Sequence, residues 1–223
     1  MELKHYFPFW DVLTAEQKGQ LTEAVSTRMY QKGEVIYQSG LDCIGLLLVL
    51  KGQVRVYTLS EEGKELTLYR LIASDTCLFS ASCILPGIQF DILAEAQMDT
   101  QVLIVDAKVY RQLMETSASV ANYTNALMAS HFSEVMWLMD QILNKKMGSR
   151  LAALLLEEST LTESSVLKIT HEQLAAHLGT MREVVTRLLK YFQTEGWVKL
   201  SRGTVNLLDV KGLEEMAQES RRV

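Results

Sequence analysis

The sequence predicts an α+β chain: a β-rich N-terminal half, one long helix, and an α-rich C-terminal unit. Three observations predict it. From Lys32 to about Val105, apolar residues alternate in short runs punctuated by Gly33, Gly40, Gly52 and Gly63, the pattern of short strands joined by turns. From Tyr110 to Asn144 the apolar residues follow 4-3 steps, which is helical spacing. From residue 146 onward, helix-start signals alternate with a glycine and end in a short strand pattern.

The elements follow in order. Residues 9–29 are predicted helical, with apolar Leu13, Leu21 and Val25 and a capping-box pattern at Thr14-x-x-Gln17. The segments "KGEVIY", "GLLLVLKGQVRVYTL" and "KELTLYRL" are predicted strands, and "SEEGKE" a hairpin turn; several short strands at this spacing suggest a small barrel or sandwich. In the long helix one stripe runs through Val120, Thr124, Leu127, His131, Val135, Leu138 and Ile142, and a second through Phe132, Met136 and Met139. So wide an apolar surface needs two covers. The expected covers are the β domain and a second copy of the same helix, with the first stripe as the dimer contact; one helix buried within a monomer is the alternative.

In the C-terminal unit, Lys146–Glu158 is a predicted helix. Thr170-His-Glu-Gln173 is a capping box that opens a second helix, Gly179 ends it, and Thr180-Met-Arg-Glu183 is a further capping box that opens a third. "GWVKLSRGTVNLL" reads as two short strands around Arg202-Gly203, a β-hairpin wing. Two helices joined by a tight glycine turn are the helix-turn-helix arrangement. Its packing needs are met by small Ala175, by Gly179 in the turn, and by Leu174, Leu178, Val185 and Leu188 in the angle between the helices.

Composition limits the function classes. The chain has 223 residues, 48% of them apolar, and a net charge of −5, room for two ordinary domains with sizeable cores. The charge is uneven. Residues 1–143 carry 10 Lys/Arg against 17 Asp/Glu, whereas residues 144–208 carry 9 against 6. A local basic excess is all that phosphate binding needs. The N-terminal "MELKHYFPFWDV" has no signal-peptide pattern, and the longest apolar stretches are too short to span a bilayer; a cytoplasmic protein without a membrane partner is expected. Three irregularly spaced cysteines make no disulfide framework.

In a helix-turn-helix the third helix enters the major groove. At about 100° per residue, Arg182, Glu183, Thr186, Arg187 and Lys190 share one side of it. Arginine pairs bidentately with guanine, glutamate accepts from cytosine N4, and threonine touches a thymine methyl or a phosphate. Arg182, Glu183, Thr186 and Arg187 are therefore the expected base readers. Thr170, His171, Thr180, Lys190, Lys199 and Arg202 are the expected phosphate contacts. Against this, Glu183 as the last member of a capping box serves the helix alone, and Arg182 and Arg187 on an isolated helix are ordinary surface.

The segments "KGEVIYQSG", "LLLVLKGQVRVYTLSEEGKELTLYRL" and "ITHEQLAAHLGTMREVVTRLLKYFQTEGWVKL" resemble the bacterial CRP/FNR transcription regulators over nearly the whole chain. The resemblance implies a cyclic-nucleotide-binding-like β-roll over residues 1–115, a dimerisation helix and hinge over 116–144, and a winged helix-turn-helix over 145–223. It implies a homodimer on a pseudo-palindromic site in double-stranded DNA, with half-sites roughly 34 Å apart, and RNA polymerase as a further partner. Arg182, Glu183, Thr186 and Arg187 occupy the places of the family's recognition residues.

Two departures bear on the effector. Cyclic-AMP-binding members carry a Gly-Glu pair and then Arg-Ser or Arg-Thr; here "SDTCLFSASCILPGIQFDILAEA" has neither, and Phe90 and Asp91 lie near the arginine's place. Iron–sulfur members need four cysteines, and only Cys43, Cys77 and Cys83 exist. The cofactor stays open, a small molecule or haem in the β-roll among the choices. Cys77 and Cys83, with Cys43, are weak candidates for a redox or effector site, since no Lys or Arg lies near the first two in sequence and a reactive thiol needs an electropositive setting; the alternative is small buried hydrophobes. His5 and His131 are isolated, weak ligand candidates, and no metal site is expected. "HEQLAAH" is not a zinc motif, because Ala175 takes the second histidine's place and His171 and His177 stand about 240° apart. No catalytic motif appears, so no enzyme is expected. The rival reading is a small-molecule-binding module whose winged helix makes protein contacts.

Overall fold

The computed structural model describes residues 2–38, 44–78 and 91–219. In chain order the elements are α1 (Ala15–Glu23), β1 (Val25–Tyr30), β2 (Val35–Gln38), β3 (Leu46–Lys51), β4 (Val54–Leu59), β5 (Glu65–Leu71), β6 (Thr76–Cys77), β7 (Ile92–Ala96), β8 (Thr100–Val105), α2 (Ala107–Thr116), α3 (Ala118–Asn144), α4 (Met147–Thr162), β9 (Val166–Leu167), α5 (His171–Leu178), α6 (Arg182–Thr194), β10 (Val198–Ser201), β11 (Thr204–Leu207) and α7 (Val210–Gln218). They form two compact units, Met1–Leu59 with Leu68–Val135, and Ser60–Thr67 with Met136–Val223.

The β-rich half of the chain holds two four-stranded antiparallel sheets, ordered β1-β8-β3-β6 and β2-β7-β4-β5. Strand β3 explains why "LLLV" does not alternate. Leu47 and Val49 join Val56, Ala94, Ile104 and Cys77 in a core between the sheets, while Leu46 and Leu48 face Phe7, Leu21, Tyr110 and Val120 in a second core under the helices. A strand covered on both faces reads as a continuous apolar run. Gly52 turns β3 into β4 at φ +100, and a Cβ there would meet Thr100, so the turn needs glycine.

The capping box at the start of α1 is present: Gln17 N donates to Thr14 Oγ1, and Gln17 Oε1 accepts from Thr14 N. The helix expected over residues 9–29 nevertheless ends at Glu23, because Val25–Tyr30 pairs in register with Val105–Thr100. Cross-strand pairing overrides the helical spacing of Leu21 and Val25. The helical region after Tyr110 is two helices, broken at Ser117, whose φ of −134 is extended.

The stripe expected to make the dimer contact is turned inward at three of its seven residues. Val120, Thr124 and His131 are buried within their own unit. Thr124 Oγ1 donates to Val120 O at 2.9 Å, which leaves its oxygen to accept from Tyr110 Oη at 2.8 Å. His131 Nε2 donates to Thr76 O at 3.1 Å, its Nδ1 lies 3.0 Å from Glu134 Oε2, and its ring stacks on Tyr69 at 4.7 Å. These groups cannot also face a second chain, and His131 has no nitrogen to spare for a metal. Leu127, Val135, Leu138 and Ile142 are half-buried. The solvent side of α3 carries Asn122, Asn125, Ala129, Phe132, Met136, Met139 and Leu143, all exposed and again in 3-4 steps.

Cys77 is buried in the core between the sheets, the setting of a small core residue rather than of a reactive thiol. Cys43, Cys83 and Phe90 lie outside the described residues, and Asp91 is exposed. Among the described residues no helix is long and apolar enough to cross a membrane.

In the second unit, α4, α5, α6 and α7 surround one core that includes Leu151, Leu155, Leu174, Val185, Leu189, Phe192 and Leu213. Strands β10, β11 and β9 form a three-stranded antiparallel sheet against it. The first two are the expected wing, turning at Arg202-Gly203 with Gly203 at φ +71. The third, two residues long, pairs Leu167 with Val205; so short a strand has no period for a sequence pattern to reveal.

Candidate nucleic-acid interface

The site is assembled from α5, α6 and the wing. Helix α5 begins with the expected capping box: Gln173 N donates to Thr170 Oγ1, and Thr170 N donates to Gln173 Oε1 at 2.9 Å. It ends at Gly179, whose φ of +67 is the left-handed C-cap conformation glycine tolerates best. The nearly buried Arg150 of α4 donates from Nη2 to Leu178 O at 2.9 Å, satisfying a carbonyl that the helix end leaves open. The turn is thereby held from its own backbone and from a neighbouring helix.

Helix α6 starts one step later than its capping-box pattern suggests. Met181 is the N-cap, and its side chain makes no cap hydrogen bond. Glu183 therefore does not close a capping box through Thr180. It sits in the first turn, where a carboxylate is favoured by the helix dipole, and its side chain is exposed. Val185, Leu189 and Phe192 are fully buried and fix the rotation of α6 about its axis. That rotation sends Arg182, Glu183, Arg187 and Lys190 into solvent. Together with Thr186 they line one shallow concave surface of about 420 Å³. All four residues expected to read bases are thus on one surface, with Lys190 beside them.

A second concavity, of about 390 Å³, lies between the start of α5 and the wing. It is lined by Thr170, His171, Glu172, Arg182, Arg202 and Thr204, among others. It gathers three of the expected phosphate contacts, Thr170, His171 and Arg202, around the N-terminus of α5, where free backbone N–H groups favour anions. Lys199 is exposed on β10, and Thr180 is half-buried in the turn. Neither lines these two surfaces.

One connection was not visible in the sequence. His171 Nδ1 lies 2.9 Å from Thr186 Oγ1, joining the first residue of α5 to the middle of α6. Burial, and then the neighbouring Arg182 charge, push the His171 pKa below the usual imidazole value. The pair is 15 residues apart and belongs to two different helices, so no periodicity within either helix signals it.

Comparison with known proteins agrees with this geometry. Residues 149–216 match the Crp-like helix-turn-helix domain, and residues 27–117 match the cyclic nucleotide-binding domain. The chain is 30% identical to the cyclic AMP receptor protein of Thermus thermophilus over 94% of its own length and 96% of the relative's. It is also 30% identical to the transcriptional regulator SdrP of the same organism, over 89% and 97%. A crystal structure of a CRP/FNR-family transcriptional regulator from Eubacterium rectale superposes with a TM-score of 0.94 at 51% identity, covering 96% of this chain and 100% of that one. These relatives are regulators rather than enzymes, and the fold, the helix-turn-helix and the sequence agree: the chain belongs to the CRP/FNR family of DNA-binding transcription regulators.

Proposed function

We propose that α6 reads base pairs in the major groove through Arg182, Glu183, Thr186 and Arg187, while Thr170, His171, Thr180, Lys190, Lys199 and Arg202 meet phosphates. The observation that carries this reading is the single concave surface formed by the four base-reading candidates, opposite the buried Val185, Leu189 and Phe192. A helix docked on its apolar side has only this side to offer, and guanidinium and carboxylate groups are the partners guanine and cytosine edges accept. Without a capping box to serve, Glu183 is free for cytosine. The test is selection of an operator from random DNA, followed by Arg187→Ala. Affinity should fall by about 1–3 kcal/mol, and specificity should relax at one base pair. An unchanged operator preference would favour the rival, a winged helix that makes protein contacts.

The working form is a homodimer on a pseudo-palindromic site. Support comes from the outward stripe of α3. Phe132 is 67% exposed, Leu143 61% and Met136 45%, and the 3-4 spacing from Asn122 to Leu143 is that of a coiled-coil seam. An equal, self-complementary face on a second copy is its natural cover. The dimer contact is thus the second stripe, which includes Phe132, Met136 and Met139, rather than the stripe that contains Val120 and His131.

Control is by an effector in the β-roll, one other than cyclic AMP, since the Gly-Glu and Arg-Ser or Arg-Thr residues that hold the nucleotide are missing from the sequence. Such a ligand acts only through different affinities for two states of the protein. RNA polymerase is the downstream partner this role requires, and the cytoplasm is its place.

A further inference from the structure

Thr186 differs from its neighbours on the reading surface. Arg182, Glu183, Arg187 and Lys190 are exposed, but Thr186 is half-buried, and its hydroxyl is held 2.9 Å from His171 Nδ1. A threonine hydroxyl has one proton to donate, and a neutral imidazole has one nitrogen that accepts. The groups around His171 favour the neutral ring. Arg182 approaches from α6, Arg202 lines the same concavity from the wing, and Glu172 is the one carboxylate among its lining residues, with Glu183 on the adjoining surface; burial and Arg182 together lower the ring's pKa. A neutral ring with Nδ1 as acceptor takes the Thr186 proton and keeps its own N–H on Nε2.

We propose that His171 is a positioning residue that decides what Thr186 offers to DNA: with the hydroxyl committed to His171, Thr186 presents its methyl group and selects a pyrimidine that carries a 5-methyl group. The inference rests on the reading of α6 as the base-reading helix. It goes further in assigning Thr186 an apolar contact rather than a hydrogen bond or a phosphate. It also gives His171, beside the phosphate contact open to its Nε2–H, a second role that acts through another side chain.

The experiment uses the full-length protein and its selected operator, with thymine replaced by deoxyuridine at one position of a half-site at a time. Wild-type protein should show one position where loss of the methyl weakens binding about fourfold, the worth of one buried methyl group. Thr186→Ser should bind with that ratio reduced to about one, since it keeps the hydroxyl and loses the methyl. Thr186→Val should keep the ratio near four, since its methyl groups need no hydrogen bond to hold them. His171→Phe fills the ring's space without an acceptor; it should lower the ratio while leaving selectivity at the Arg187 base pair intact. The double variant His171→Phe with Thr186→Val should restore the ratio, which a merely structural role for His171 would not do. The Thr186 variants leave His171 in place and so test the methyl contact even if His171→Phe folds poorly. A ratio unaffected by Thr186→Ser, or a full ratio in His171→Phe, overturns the proposal. If Arg187→Ala also leaves the operator preference unchanged, the reading of α6 fails with it; if Arg187→Ala relaxes specificity, only the His171–Thr186 inference falls.

Discussion

Helix α6 buries Val185, Leu189 and Phe192 and leaves Arg182, Glu183, Arg187 and Lys190 in solvent, whereas α3 buries Val120, Thr124 and His131 and leaves Phe132, Met136, Trp137, Met139 and Leu143 in solvent. Both helices spend one face on a core of their own chain. What differs is the remainder. A free face of two guanidinium groups and an ammonium against one carboxylate suits a polyanion, because its charges keep their solvation until a phosphate or base edge replaces water. A free face of Phe, Met and Leu suits another apolar face, since exposed apolar patches of this kind mark contact sites. The buried face shows how each helix sits, and the free face shows what it meets.

The largest expected effect comes from making the α3 face resemble that of α6. Phe132→Glu with Met136→Glu should leave the fold of the single chain intact, because both side chains are exposed on it, while apparent stability falls by what association contributes. It should convert the proposed dimer to monomer in sedimentation experiments. Loss of the linked second half-site should then weaken operator binding by about 100-fold or more. A double variant that stays dimeric would break the contrast between the helices. Next in size is the buried side of α6. Leu189→Ala should cost about 2–5 kcal/mol in urea unfolding, without altering which operator the folded protein selects.

How far these roles were legible in the sequence depends on whether the deciding contacts are local. The capping boxes at Thr14 and Thr170, the glycine turn at Gly179 and the hairpin at Arg202-Gly203 depend on residues within a few positions, and all appear as expected. The helical reading of residues 9–29 fails from Val25 onward because the partner strand of Val25–Tyr30 lies some 75 residues away, too far for a local pattern to report. The two stripes of α3 were both legible, but not which one the protomer covers, because that is decided by Tyr110, Thr76 and Tyr69. At the DNA-binding site, the polar face of α6 followed from its period alone. The His171–Thr186 pair did not, since it depends on how α5 and α6 cross. The pattern at Thr180–Glu183 misled in the other direction: it has the letters of a capping box, yet the helix starts at Arg182.

A smaller effect separates two residues within the charged face of α6. Lys190→Ala should weaken binding to all sequences alike and reduce the slope of log Kd against log salt by about one, as expected for a phosphate contact. It should leave the operator preference intact, in contrast to Arg187→Ala. If Lys190→Ala instead changes which base pairs are chosen, the division of this face into readers and phosphate contacts is wrong.

The smallest effect concerns His171, where the polar face of α6 meets α5. The folded protein holds this ring below the usual imidazole pKa, first through burial and then through Arg182, whereas the unfolded chain titrates at about 6.5. Between these two values the unfolded state binds more protons than the folded one, so stability rises with pH across that interval. The contribution is therefore complete above about 6.5 and is lost as pH falls from there through the folded value. Thermal unfolding of wild type and His171→Phe, measured from pH 8 down to pH 5, should show the wild type losing ground to the variant on the acid side only. Wild type gaining on the variant toward acid would instead mean that the folded state favours the charged ring. Nδ1 would then donate to Thr186, and the threonine would keep its own proton for the DNA.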